Sequence, residues 1–250
     1  MQVLIIGGGP GGLALGFELG RRGVDYLILE RAPWLGNTFR TMAANTTYGP
    51  WINNVLPCTR PSWNIALRRT NREEYAQYLS EYAIRNDLRY RTGIEVQGIQ
   101  RGPDGFQVRT DQGEFRARSV VNATGYFSNP FRPVYPGAAE SCIRQIHAAA
   151  FRDPDTVRCL VGRNRARVLL VGKRMTAGEV MQSLYRAGFL VWISHRSPIR
   201  YGPSSFMEAC LSPFTFMLEK TLRHVPGLPE PRHMTYLMCG GEPRRLIESG

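Results

Sequence analysis

The chain has 250 residues, 43% hydrophobic and 21% charged, enough to bury one large or two modest cores in a globular protein. Its formal charge of +12 is almost wholly arginine, because lysine occurs only at Lys173 and Lys220. The arginines are scattered and form no run, which argues against a nucleic-acid surface and leaves the basicity to serve polyanionic cofactors.

In chain order, QVLII (2–6) is a short apolar run of the kind found in buried parallel strands. The surrounding MQVLIIGGGPGGLALGFELG has no basic n-region and is broken by five glycines between 7 and 12. It reads as strand and loop, and not as a signal peptide. A helical pattern follows and stops at Gly23, and VDYLILE (24–30) is a second strand. A β-α-β unit at the start of the chain implies a parallel sheet flanked by helices. Residues 31–70 are irregular and rich in Pro, Asn, Thr and Trp, a length that marks a functional loop. Residues 71–88 form an amphipathic helix with Asn71 at its start and Glu74 three residues on. The stretch 92–125 reads as a β-meander with Pro-Asp-Gly and Asp-Gln-Gly turns, ending in the strand SVVNATG. The proline-rich NPFRPVYPG (129–137) closes a first domain. Residues 167–196 repeat the β-α-β pattern, with FLVWISHR as its second strand, and one helix is expected at about 205–223. No stretch approaches the roughly 18 apolar residues of a membrane helix.

GGGPGG satisfies G-x-G-x-x-G between a strand and a helix, with Gly7 for the tight turn, Gly9 for close approach to a pyrophosphate and Gly12 for helix–strand packing. Pro10 and Gly11 complete the loop. Glu30 stands eighteen residues after Gly12, where a carboxylate accepts hydrogen bonds from an adenosine ribose, with Arg31 beside it. The combination defines a dinucleotide site.

With these motifs the sequence resembles the two-dinucleotide flavoproteins of the flavin-containing monooxygenase and Baeyer–Villiger group. LGNTFR (35–40) is similar to the group's G-G-x-W-R-type loop, with Gly36, Phe39 and Arg40 in place. VVNATGYFSNPFRPVYPG (120–137) resembles its A-T-G…P-x-x-P-G segment. The resemblance implies FAD at the first loop, with Thr124 and Gly125 of the A-T-G turn against it. It further implies an α/β fold of two Rossmann-like dinucleotide-binding domains, parallel sheets with flanking helices and a β-meander. The FAD domain would span 1–137, a linker 138–166 and the NADPH domain 167–250.

Against the group's G-x-G-x-S-G-x-D/E, the stretch RVLLVGKRMTAGEV (167–180) aligns through Gly172, Arg174, Thr176, Ala177 and Glu179. Arg174 replaces the second glycine; it crowds the pyrophosphate position or turns outward to pair with phosphate. Arg196, nineteen residues past Ala177, stands as the counterpart of Glu30. Exchange of the acid for a guanidinium favours a ribose 2′-phosphate, hence NADPH over NADH.

The resemblance implies NADPH reduction of FAD, a flavin C4a-hydroperoxide, and oxygen delivery to a heteroatom or a ketone, the cofactors doing the chemistry. It places an asparagine in the long loop as a donor to the peroxide oxygen. Asn45 is the candidate, and Asn53 and Asn54 are its rivals. Of the group's linker fingerprint only His147 and Phe151 survive, which makes His147 a candidate for coupling between domains. The five cysteines, at 58, 142, 159, 210 and 239, form no C-x-x-C pair. Their odd number and spacing argue against disulfides, zinc and a dithiol centre and fit a reducing, cytoplasmic setting.

The sequence-level reading is therefore an NADPH-dependent FAD monooxygenase acting with dioxygen on a small organic substrate, with no nucleic-acid partner and no membrane span; self-association stays open. Two alternatives stand beside it: an NAD(P)H-dependent flavin oxidoreductase without oxygenation, and a truncated or degenerate flavoprotein without turnover. The second alternative rests on Arg174 and on the expectation that the chain stops before the group's return to the flavin domain.

Overall fold

Strands β1 (Val3–Ile6) and β2 (Tyr26–Leu29) pair in parallel, joined by helix α1 (Pro10–Arg21). The computed structural model describes residues 1–138, 140–162, 166–199 and 246–247. The expected helix at 205–223 lies outside the described residues. By contacts the chain divides into two units. The first comprises Met1–Thr41, Leu56–Thr59 and Arg72–Pro130, and the second comprises Met42–Val55, Arg60–Asn71 and Phe131–Gly250.

In the first unit, α2 (Asn37–Thr41) follows the β1-α1-β2 unit. Helix α4 (Arg72–Arg85) later buries Tyr75, Ala76, Leu79, Tyr82 and Ala83, whose spacing of three to four residues makes one helical face. Its outer face carries the i, i+4 contacts Gln77–Glu81 and Glu81–Arg85. A two-residue strand β5 (Tyr90–Arg91) joins the edge of the parallel sheet beside β2. The meander is β6 (Val96–Gly102), β7 (Gly105–Thr110) and β8 (Gly113–Ala117), antiparallel throughout. Its hairpins close at Gly102–Gly105 and Thr110–Gly113, where the Pro-Asp-Gly and Asp-Gln-Gly turns were expected. Strand β9 (Ser119–Asn122) then returns to pair with β1, giving the sheet order β5-β2-β1-β9. Leu4, Ile5, Ile28 and Leu29 are almost fully buried, as strands of a parallel sheet covered on both faces require. Each such side chain contributes about 1.5–3 kcal/mol of burial. Leu4 and Leu29 share a core with Val108 and Ala117 of the meander.

The second unit holds the later elements of the long irregular segment that the sequence did not resolve. Strand β3 (Thr47–Pro50), the single turn α3 (Trp51–Asn54) and strand β4 (Arg69–Asn71) make an antiparallel ribbon. After Pro130 come a 3-10 turn at Ala148–Ala150 and helix α5 (Pro154–Val161). Then β10 (Arg167–Val171), α6 (Met175–Arg186) and β11 (Leu190–Ser194) form the second β-α-β unit, with β10 and β11 parallel. Its core is Phe151, Val157, Val180, Leu184 and Phe189, with Val168, Leu170 and Val191 packed against it. No helix among the described residues is long and apolar enough to cross a membrane.

Candidate dinucleotide-binding sites

Gly7 has φ +117°, and a Cβ there would sit 2.4 Å from the Ala123 carbonyl oxygen. Glycine is thus needed twice, for the turn and for the approach of the chain after β9. A Cβ on Gly12 would lie 2.0 Å from the Gly7 carbonyl oxygen, so helix α1 meets the turn too closely for any side chain. Gly9 and Gly11 differ, because an added Cβ would meet nothing within 4 Å at either. Gly9, the N-cap of α1, has the extended values φ −89° and ψ −174°, which any residue can adopt. Its missing side chain leaves an open cradle at the helix N-terminus. Such a cradle fits a pyrophosphate, with Pro10 at the first helical position giving up no needed donor.

Glu30 directly follows β2. Its Oε2 accepts from the Gly8 amide at 2.7 Å and its Oε1 from the Ala32 amide at 2.9 Å. Each oxygen retains a lone pair for a ribose hydroxyl. Arg31 is exposed and pairs with Glu95 at 3.5 Å. The Gly36 amide donates to the Gly8 carbonyl at 3.0 Å, fastening the 35–40 loop to the glycine turn. Phe39 packs edge-on against Tyr75, with ring centroids 4.7 Å apart. The Arg40 guanidinium lies over Trp34, 5.8 Å from the ring centroid. On the other side, the Thr124 amide and hydroxyl both donate to Asn122 Oδ1, at 3.1 and 2.7 Å, and Gly125 has φ +69°. Gly7–Gly12, Glu30, the 35–40 loop and the A-T-G turn therefore belong to one local assembly within the first unit.

The second unit repeats this backbone. Gly172 has φ +129°, and its amide donates to the Ser194 carbonyl at 2.9 Å; the Gly7 amide donates to the Leu29 carbonyl at 2.8 Å. Arg174, the N-cap of α6, has φ −87° and ψ −176°, within a few degrees of Gly9. A non-glycine residue therefore costs this turn no strain. The Arg174 side chain is exposed. Thr176 is likewise exposed in the first turn of α6.

The register corrects one assignment made from spacing. Ile6 pairs with Leu29, and Val171 pairs with Ser194. The residue after Ser194 is His195, so His195 occupies the place of Glu30, and Arg196 occupies that of Arg31. Both glycine-to-strand connections have the same length, so a count to Arg196 overshoots by one. The loss of the carboxylate persists, with His195 in its place and Arg196 matching Arg31, both exposed at the strand end.

Asn45 belongs to the second unit. Its Nδ2 donates to the backbone carbonyl of Glu179 at 2.6 Å, and its Oδ1 is buried with no hydrogen-bond partner. Glu179 Oε1 in turn accepts from the Thr47 amide at 3.1 Å. Burial raises the pKa of Glu179, opposed by the Thr47 hydrogen bond, by the nearby Arg69 and by Thr46. Of the rivals, Asn54 spends its amide on the carbonyls of Gly49 and Pro50, at 2.6 and 3.0 Å, and Asn53 is exposed. His147 Nδ1 accepts from the Ala149 amide at 3.0 Å, capping its own turn, and Phe151 is a core residue.

Two strand–glycine turn–helix–strand units in one chain define the two-dinucleotide class of flavoprotein folds. Residues 4–222 match the family described as pyridine nucleotide-disulphide oxidoreductase, and the chain belongs to that family. It is 25% identical over 190 residues to a CzcO-like oxidoreductase of Geobacillus kaustophilus, covering 74% of this chain and 51% of that one. It is 27% identical over 195 residues to a Baeyer–Villiger monooxygenase of Streptomyces coelicolor, covering 74% of this chain and 36% of the relative. A flavin monooxygenase of Stenotrophomonas maltophilia, solved as a variant with two substitutions, shares the fold. Its TM-score is 0.73 at 22% identity, over 81% of this chain and 59% of that one. The chain spans about half or less of the length of these curated relatives.

Proposed function

We propose that the chain is an NADPH-dependent FAD monooxygenase acting on a small organic molecule that offers a nitrogen or sulfur heteroatom or a ketone. One observation carries the proposal: the second unit reproduces the turn of the first, Gly172 and Arg174 matching Gly7 and Gly9 in backbone, while the carboxylate at the strand end gives way to His195 and Arg196. In this reading 1–137 carries FAD and 167–250 carries NADPH. Gly7, Gly9, Pro10, Gly11 and Gly12 receive the FAD pyrophosphate, Glu30 its ribose, and the 35–40 loop and Thr124–Gly125 flank it. Gly172, Arg174 and Thr176 receive the pyrophosphate of NADPH, where the Arg174 guanidinium adds a charge-assisted contact that glycine lacks. The basic turn after β11 accepts the 2′-phosphate. When bound, FAD would pass the two electrons of NADPH to dioxygen, one oxygen atom going to the substrate, which gives the other two electrons, and the second leaving as water. Asn45, its amide already held by Glu179, has a second amide hydrogen to offer the transferred oxygen.

Incubation with NADPH and ¹⁸O₂, with methyl phenyl sulfide or cyclohexanone as probe, tests the proposal. Label in the sulfoxide or lactone is expected. NADPH oxidation with all oxygen recovered as hydrogen peroxide would make the chain a plain flavin oxidoreductase. No NADPH oxidation at all would make it a nucleotide-binding protein without turnover.

A further inference from the structure

The two glycine turns are fastened to their strands by opposite chemistry. In the first, the Glu30 carboxylate reaches back from the end of β2 to the Gly8 amide at 2.7 Å. The residue after the turn glycine in the second unit is Lys173, which stands where Gly8 stands in the first. Its ammonium donates to the carbonyl oxygens of Ser197 and Pro198, at 2.8 and 2.6 Å, and also to the Ser197 hydroxyl. His195 Nδ1 lies 2.9 Å from the same Ser197 carbonyl, and since a carbonyl only accepts, Nδ1 donates. The fastening therefore runs from the loop to the strand end, and it brings a positive charge where the first unit has a negative one. None of the ion pairs of the described residues engages Lys173, His195 or Arg196.

This arrangement has a physical consequence for an anion at the strand end. Bare carbonyl oxygens in the 195–198 turn would repel a phosphate. An ammonium bonded to two of them offsets that repulsion and fixes the backbone on which Arg196 sits. All three donors of Lys173 are occupied within the turn, so the lysine acts through its neighbours and not by contact.

We propose that Lys173 is a positioning residue for coenzyme choice: it holds the 195–198 turn in the shape from which His195 and Arg196 receive a ribose 2′-phosphate. The proposal rests on the reading of the second turn as an NADPH site.

The test uses the intact chain and the variants Lys173→Met, Lys173→Arg, Arg196→Ala and the Lys173→Met/Arg196→Ala double. Affinities for NADP⁺ and NAD⁺ are measured by calorimetry, and amide hydrogen exchange over 194–199 is followed with no coenzyme present. Lys173→Met should weaken NADP⁺ by about tenfold, the scale of a hydrogen bond to a charged group, and leave NAD⁺ unchanged. Exchange should quicken in 194–199 and stay unaltered in α6, which also reports that the variant is folded. Lys173→Arg should recover part of the loss. Arg196→Ala should weaken NADP⁺ without changing exchange, and the double variant should lose less than the two single losses combined, the loss beyond Arg196→Ala being that of His195 when the turn loosens. Unchanged exchange in Lys173→Met would overturn the proposal, as would losses that add in the double variant, which would mean direct contact. If the wild-type chain binds NADP⁺ and NAD⁺ alike, the coenzyme reading falls and takes the coenzyme part of the proposal with it. The exchange measurement then judges separately whether Lys173 holds the turn.

Discussion

At Gly9 an added Cβ meets nothing within 4 Å, whereas at Gly12 it comes 2.0 Å from the Gly7 carbonyl oxygen. Two glycines of one motif thus do different jobs, and substitution separates them. Gly12→Ala should destabilise the first unit by about 1–3 kcal/mol through overpacking against backbone, read as a lower unfolding midpoint. Gly9→Ala should leave the midpoint nearly in place, because its backbone is extended and its surroundings are open, yet weaken FAD uptake at least about tenfold by filling the pyrophosphate cradle. Equal midpoints for the two variants would contradict this division of labour. Gly7, Gly9, Gly12 and Glu30 were readable in the sequence because a dinucleotide turn needs those residue types at those spacings. His195 was countable too, standing as far from Ala177 as Glu30 does from Gly12, but the neighbouring arginine took the assignment, and the pairing of Val171 with Ser194 fixes the register. Lys173 was silent for a plainer reason: a lysine in a loop follows no pattern, and its meaning lies in the carbonyls it reaches.

Among the elements, α6 does more than follow the Gly172 turn. Its Glu179 holds the Thr47 amide with its carboxylate and the Asn45 amide with its backbone carbonyl, so β3 and the turn before it are joined to the helix by two hydrogen bonds. Burial raises the carboxyl pKa of Glu179. A raised folded-state pKa favours the protonated form in the folded protein. This contribution to stability is therefore full below the unfolded-state value and is lost as pH rises through the raised value. Glu179→Gln keeps an acceptor for Thr47 and removes the titration. The variant should show a flatter decline of unfolding midpoint as pH rises from about 4 towards neutrality. A decline as steep as that of the wild type would show that Glu179 does not cause it. Truncating Leu184, fully buried in the core of the second unit, should cost about 2–5 kcal/mol as Leu184→Ala, seen as a lower denaturation midpoint.

Both β-α-β units, α4 and the meander were legible, since apolar runs and helical periodicity specify them locally. The ribbon was not, because Thr47 and Asn71 are partners far apart in sequence and the Asn54 amide reaches across it to the Thr70 hydroxyl at 3.3 Å. Helix α5 was legible but unread: Asp153 caps it, Pro154 opens it, and Gly162 ends it in the left-handed region with φ +66°.

At the scale of the molecule, one turn geometry occurs twice, with a carboxylate after the first strand and a histidine after the second, and the family match covers both copies. We propose that the first copy holds FAD and the second selects NADPH to reduce it. The visible spectrum of the purified chain, supplied with FAD and followed without oxygen as NADPH and then NADH is added, tests this most directly. The expected result is a bound-flavin spectrum that bleaches with NADPH at concentrations where NADH leaves it unchanged. A bound flavin that stays oxidised with both nucleotides, or bleaches equally with each, would contradict the assignment of the second turn. A chain that takes up no FAD would contradict the first.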